Sequence, residues 1–250
     1  MKILRYTYKN ASGYGVLQGE NIHPVVGNVF SDFTLSEESI PFKEATLLVP
    51  CEPTKIIAVG LNYSDHAKEM QEEQLAAPVL FSKPTTALLP HGCKICRPRV
   101  SQRIDYEAEL AVVIKKTCKD ISKEEAEDYI LGYTCLNDVT ARDLQKTDGQ
   151  WTRAKGFDTF APVGPWIETE VNPNNLSIRL EVNGEVRQKG NTEMMMFSPQ
   201  KLVSFVSGIM TLLPGDIITT GTPSGIGPME PGDEVSVIIE KIGVLTNIME

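Results

Sequence analysis

In the first fifty residues, apolar and polar positions alternate in three short runs, ILRYTY, GYGVLQG and NIHPVVG, with turn-forming residues between them. A period of two puts alternate side chains on one face of an extended chain, so these runs predict β-strands joined by tight turns. The proline-punctuated segment VPCEPTK then breaks the pattern. It predicts a boundary between a small β-rich N-terminal domain, residues 1–51, and a larger domain, residues 52–250.

In the larger part, KIIAVGL, ELAVVIKK and ILGYTCL are nearly continuous apolar runs of strand length and predict buried strands. In SIRLEVNGEVRQKG, Ile178, Leu180 and Val182 alternate into Asn183-Gly184, the pair that favours a type I′ hairpin turn. DEVSVIIEKIGVLTNIM predicts a second hairpin. Helices are few. Ser122 with Glu125 forms a capping box ahead of EEAEDYI, and Ser198-Pro199 starts a helix whose Leu202, Phe205, Val206 and Ile209 would share a face. Strands outnumbering helices in this way predict an α+β, mostly β fold, not a doubly wound parallel sheet.

The 250 residues carry a net charge of −9. An acidic chain without a basic stripe argues against non-specific nucleic-acid binding, which needs cations to displace counterions from phosphate. No apolar run reaches the roughly 20 residues that span a bilayer, and the start MKILRYTYKN lacks the apolar core of a signal peptide. These features point to no membrane partner and to the cytoplasm. Five cysteines, an odd number, fit reduced thiols. Cys93 and Cys96 form a C-x-x-C, but no second ligand pair accompanies them and prolines bracket the segment, so local packing is the favoured reading.

Candidate chemistry begins at DYEAELAVV, where Asp105, Glu107 and Glu109 alternate with apolar residues. On a strand they share a face, either a solvated one or one that gathers carboxylates; the same face continues apolar through Ala111 and Val113. Asp138 follows an apolar run and is either a helix N-cap or a further carboxylate ligand. Three carboxylates would suit Mg²⁺ or Mn²⁺ better than zinc. His66 and Glu69 are spaced to share a helix face, as an exposed polar pair or as a base with its orienting carboxylate, on a segment poor in apolar residues that could act as a lid. Lys155 sits among aromatic and apolar residues, either snorkelling to solvent or binding an anion. TTGTPSGIG is either a plain turn or a cradle of N–H groups with the Thr222 hydroxyl.

The order of KIIAVGLNYSDHAKE, FSKP, DYEAELAVVI, GYTCLNDVTARDLQ, AKGFDTFAPVGPW and GDIITTGTPSGIG resembles the fumarylacetoacetate hydrolase family over about residues 52–250. The resemblance implies a mixed β-sandwich roll, a homodimer, and a divalent cation, Mg²⁺ or Mn²⁺, held by Glu107, Glu109 and Asp138. It further implies catalytic roles for His66, Glu69 and Lys155, substrate contacts from Gln145 and Thr222, and shared-motif positions at Lys83 and Arg142 without an assigned step. The substrate class would be 2-oxo or 2-hydroxy-enoic acids, with C–C hydrolysis of an acylpyruvate ahead of isomerisation, tautomerisation or decarboxylation. Leu61 stands where many acylpyruvate-cleaving members have arginine, which removes one cation for a distal carboxylate. The reading of another class is a metal-stabilised binding protein without chemistry.

Overall fold

The strand Ala108–Ile114 is buried along its whole length, because one face is apolar throughout and the other is apolar beyond Glu109. Leu110, Val112 and Ile114 point into one core with Tyr133, Phe160 and Leu202, while Ala111 and Val113 point into another with Ile3, Val163 and Ile217. The computed structural model describes residues 1–65 and 76–250. In it this strand lies in a thirteen-stranded mixed sheet, antiparallel to Ile130–Asn137 on one side and to Ile217–Thr219 on the other. Ile217–Thr219 then pairs in parallel with Ile56–Gly60, which pairs with Val79–Lys83.

A second sheet of five strands packs across the first core. It runs Lys94–Ile95, Gly243–Met249, Glu234–Ile239, Ser177–Val182 and Glu185–Asn191. Its inward residues Ile178, Leu180, Val237 and Leu245 meet Leu110 and Val112 of the large sheet, giving a mostly β sandwich. The Asn183-Gly184 turn has φ of 53° and 79°, the left-handed pair that a type I′ hairpin requires. The C-terminal hairpin also forms as the alternation predicts.

The three N-terminal runs become Lys2–Tyr8, Ala11–Gln18 and Asn21–Gly27. They extend the large sheet, since Lys2 and Ile3 pair with Glu168 and Ile167 of the strand Ala161–Glu168. Around them Leu4, Tyr6 and Ile22 form a small separate core.

The helices differ from expectation in two ways. The capping box forms, with the Ser122 N–H donating to Glu125 at 2.9 Å and the Glu125 N–H to Ser122 at 3.3 Å, yet it starts only a 3₁₀ turn over Ala126–Tyr129. The strand Ile130–Asn137 takes over at once, because its apolar side chains are claimed by the sheet. The helix Pro199–Ile209 is capped by Ser198 as expected, but its buried face is Leu202, Val203 and Val206 with Ser207. Ile209 is 55% exposed. The Ser207 hydroxyl accepts the Ile121 N–H at 3.1 Å, and that polar anchor turns the helix away from the purely apolar stripe.

Candidate functional site

The expected continuous strand through DYEAELAVV is broken at Glu107. Ile104–Tyr106 pairs with Thr140–Ala141 and Gly227–Pro228 in a separate small sheet, and Ala108–Ile114 belongs to the large one. At the break the Glu107 N–H donates to the side chain of Asn137 at 2.9 Å, and the Glu107 carbonyl accepts the Asp138 N–H at 2.9 Å. Ala108 is paired with Asn137, so Glu107 and Asp138 lie just past the same rung of the sheet, on neighbouring strands. Glu109 stands two residues further in. One oxygen from each of Glu107, Glu109 and Asp138 falls within 4.8 Å of the others, and all three residues are buried.

Asp105 does not join them. It is fully buried, and it accepts from Arg142 Nε at 2.8 Å and Arg103 Nε at 2.8 Å. The solvated-face reading of these acids therefore fails, and so does Asp138 as a helix cap: the helix Arg142–Asp148 begins after Ala141.

Among the described residues, three buried cations surround the cluster. Lys155, at the end of the short helix Thr152–Lys155, donates to Glu107 at 2.8 Å and to Asp138 at 2.6 Å. Lys83 bonds the other Asp138 oxygen and the Val139 carbonyl at 3.2 Å. Arg142 bonds Glu107, and the Thr140 hydroxyl donates to Glu107 at 3.1 Å. The snorkelling alternative for Lys155 is thus excluded. Burial alone would lower its pKa, but the charges of Asp138 and Glu107 overcome that and hold it above the ordinary lysine value. Lys83 is shifted down by burial, against the pull of Asp138.

Glu109 is the exception to this compensation. It accepts the Gly221 N–H at 2.8 Å, but among the described residues no lysine or arginine bonds it. Burial first, and then the charges of Asp138 and Glu107, push its carboxyl well above the usual range. A buried anion crowded by two others is stabilised by a shared cation. Among the described residues the donor set is all oxygen, without cysteine or histidine, which fits a hard divalent ion such as Mg²⁺ or Mn²⁺.

The cluster forms the floor of a cleft of about 170 Å³. Arg142, Gln145, Lys146, Lys155 and Thr222 also line it, while Val59, Gly60, Leu61, Phe81 and Trp151 form an apolar side. Phe81 and Trp151 meet edge to face with centroids 5.2 Å apart. Gly60 is required here, since a Cβ would lie 2.6 Å from the Trp151 ring. Leu61 adopts φ of 57°, held in place by the next residue: Asn62 donates to the Phe197 and Thr220 carbonyls at 2.9 and 2.8 Å.

Glu107, Glu109, Asp138, Lys155, Gln145 and Thr222 are therefore brought to one cleft. His66 and Glu69 lie outside the described residues. Two functional supports escaped sequence reasoning. Gln188, on the hairpin strand Glu185–Asn191, accepts the Ala108 N–H at 2.9 Å and donates to the Thr222 hydroxyl at 2.8 Å, tying the site strand to the TTGTPSGIG loop. Asn137 fixes the backbone at Glu107. A polar residue in an otherwise apolar strand was the available signal for Asn137; Gln188, in a charged stretch, had none.

The family model described as "Fumarylacetoacetate (FAA) hydrolase C-terminal" matches residues 55–250, and one described as "Rv2993c-like, N-terminal" matches residues 1–50. Protein Rv2993c of Mycobacterium tuberculosis is 44% identical, over 99% of this chain and 97% of its own. A mitochondrial oxaloacetate tautomerase of Bos taurus is 45% identical, over 76% of this chain and 88% of its own. Among solved structures, 2-hydroxyhepta-2,4-diene-1,7-dioate isomerase from Mycobacterium marinum superposes with a TM-score of 0.94 at 43% identity, covering 100% of this chain and 98% of that one.

Proposed function

Because the chain belongs to the fumarylacetoacetate hydrolase family, whose members are enzymes, we propose that it is a divalent-metal-dependent enzyme of 2-oxo or 2-hydroxy-enoic acids that hydrolyses a C–C bond in an acylpyruvate-type substrate. The observation that carries this reading is the convergence of three buried carboxylates, Glu107, Glu109 and Asp138, with one oxygen of each within 4.8 Å of the others, in the wall of one cleft. These three residues would hold Mg²⁺ or Mn²⁺, which when bound supplies Lewis acidity toward the carboxylate and 2-oxo oxygens of the substrate.

The chain's own groups do the rest. Lys155 puts fixed positive charge next to the cluster, where negative charge grows on the 2-oxo oxygen as the bond to C3 breaks. Gln145 accepts from Arg142 through its carbonyl oxygen, which leaves its amide N–H groups to donate to substrate. Thr222 accepts from Gln188, so its hydroxyl proton is directed elsewhere, to a ligand oxygen. His66, oriented by Glu69, would take a proton from the water that attacks the second carbonyl. Cleavage then releases a carboxylic acid and the enolate of pyruvate, which is protonated at C3.

A second reading is isomerisation or keto-enol tautomerisation. It is favoured by the presence of Lys155, Gln145 and Thr222 in the cleft wall, where each could meet an enolate oxygen, and by the isomerase and tautomerase names of the relatives above. Loss of CO₂ from oxaloacetate uses the same enolate. The test compares metal-stripped and Mg²⁺-reloaded protein on acetylpyruvate, fumarylpyruvate, oxaloacetate and a 2-hydroxy-dienoate, following pyruvate, CO₂ and the enol chromophore separately. Metal-dependent pyruvate release from an acylpyruvate is expected. Enol turnover alone would make the second reading correct, and a metal-raised Tm without any turnover would leave a binding protein. We further propose a homodimer, and the division at residues 51 and 52, which the two adjacent family matches support.

A further inference from the structure

We propose that Lys146 is a specificity-determining residue that binds an anionic distal group of the substrate; the inference rests on the reading of the cleft as a 2-oxo acid site. The cleft is lined by three cations among the described residues, and two of them are already engaged. Lys155 is committed to Glu107 and Asp138, and Arg142 to Asp105 and Glu107. Lys146 is exposed, and among the described residues it has no ion-pair partner.

The acids nearest to it in sequence are both satisfied elsewhere. Asp143 accepts from Ser101 at 2.6 Å and from the Gln102 N–H at 2.8 Å, and Asp148 pairs with Arg153. Among the described residues, the helix Arg142–Asp148 thus brings to the cleft wall a lysine without an acid partner on its own turn.

Its placement fits a two-ended ligand. Arg142 and Lys146 are four residues apart on one helix, so they share a face and are separated by about 6 Å along the axis. Arg142 is buried against Glu107, whereas Lys146, also in the cleft wall, is exposed. A 2-oxo acid with its head at the floor would pass its middle along the apolar side and present its far end to Lys146. Leu61, on that apolar side, offers no cation, so the distal charge is read from the helix and not from the Gly60–Asn62 segment.

Calorimetric binding to Mg²⁺-loaded protein tests this without turnover, using oxalate, 2-oxoadipate and 2-oxohexanoate, the last two differing only in the distal carboxylate. The wild type is expected to bind 2-oxoadipate about fivefold more tightly than 2-oxohexanoate, with the preference falling as salt rises. In K146Q the ratio should drop to near one, and K146R should restore it. K241Q, the same charge change at an exposed turn, should retain the wild-type ratio. A preference that survives in K146Q, or its absence in a wild type that binds oxalate, overturns the proposal and leaves the 2-oxo acid reading standing. Failure of oxalate to bind overturns that reading, and the proposal with it.

Discussion

Arg142 donates from Nε to Asp105 at 2.8 Å with both side chains buried, and the same guanidinium bonds Glu107. Asp105 therefore acts on the cluster through Arg142, as a positioning residue. Asp105→Asn should leave a buried guanidinium short of a charge partner and lower stability by about 3 kcal/mol. It should also weaken Mg²⁺ affinity by about tenfold or more, as loss of an orienting partner does. Denaturant melts and calorimetry check the two effects, and unchanged affinity in a folded variant would separate Asp105 from the site.

Glu109→Gln removes one negative charge from a buried cluster while keeping an acceptor for the Gly221 N–H. The metal-free variant should melt higher than metal-free wild type, and it should lose the rise in Tm that Mg²⁺ gives the wild type. A metal-free Tm below that of wild type would show that the carboxylate is not under repulsion.

The same residue sets a pH dependence with a defined sign. Its folded carboxyl lies above the ordinary value near 4.5, so its contribution to stability is fully present below that value and is lost as pH rises through the raised folded value. The Tm of metal-free wild type should fall relative to Glu109→Gln as the pH is raised across that window. Mg²⁺ should close the gap, most at neutral and alkaline pH. Parallel Tm profiles for the two proteins would contradict this.

His66→Ala should slow acylpyruvate hydrolysis by about 100-fold or more, the usual contribution of a general base. Mg²⁺ and oxalate binding should remain measurable, since their ligands are on other segments. Steady-state kinetics beside calorimetry distinguish the two, and full hydrolysis in the variant would transfer the base elsewhere.

Local periodicity made the strands and both hairpins legible, because burial on one or two faces imprints a period of two on the chain. It also placed Glu109 correctly, on the face that continues into Ala111 and Val113. What it did not show was the break at Glu107, which is caused by Asn137 capturing a backbone N–H from a neighbouring strand. Asp105 consequently looked equivalent to its neighbours when it belongs to a different sheet. The helix Pro199–Ile209 was legible in extent but not in rotation, which a single hydroxyl, Ser207, decides. The partners of Lys155, Lys83 and Gln188 come from segments 17 to 80 residues away, a separation at which no local pattern carries information.

The pairing of Ala108 with Asn137 has one further consequence. Slipping that ladder by a single residue would carry Glu109 to the opposite face of the sheet and part Glu107 from Asp138. On the proposed reading, the carboxylate cluster is therefore a gauge of strand alignment: a molecule that takes up a cation there would report that its two central strands are in step. Titrating refolding protein with the ion would count molecules whose sheet closed in the right frame, and would distinguish them from compact ones that are merely β-rich.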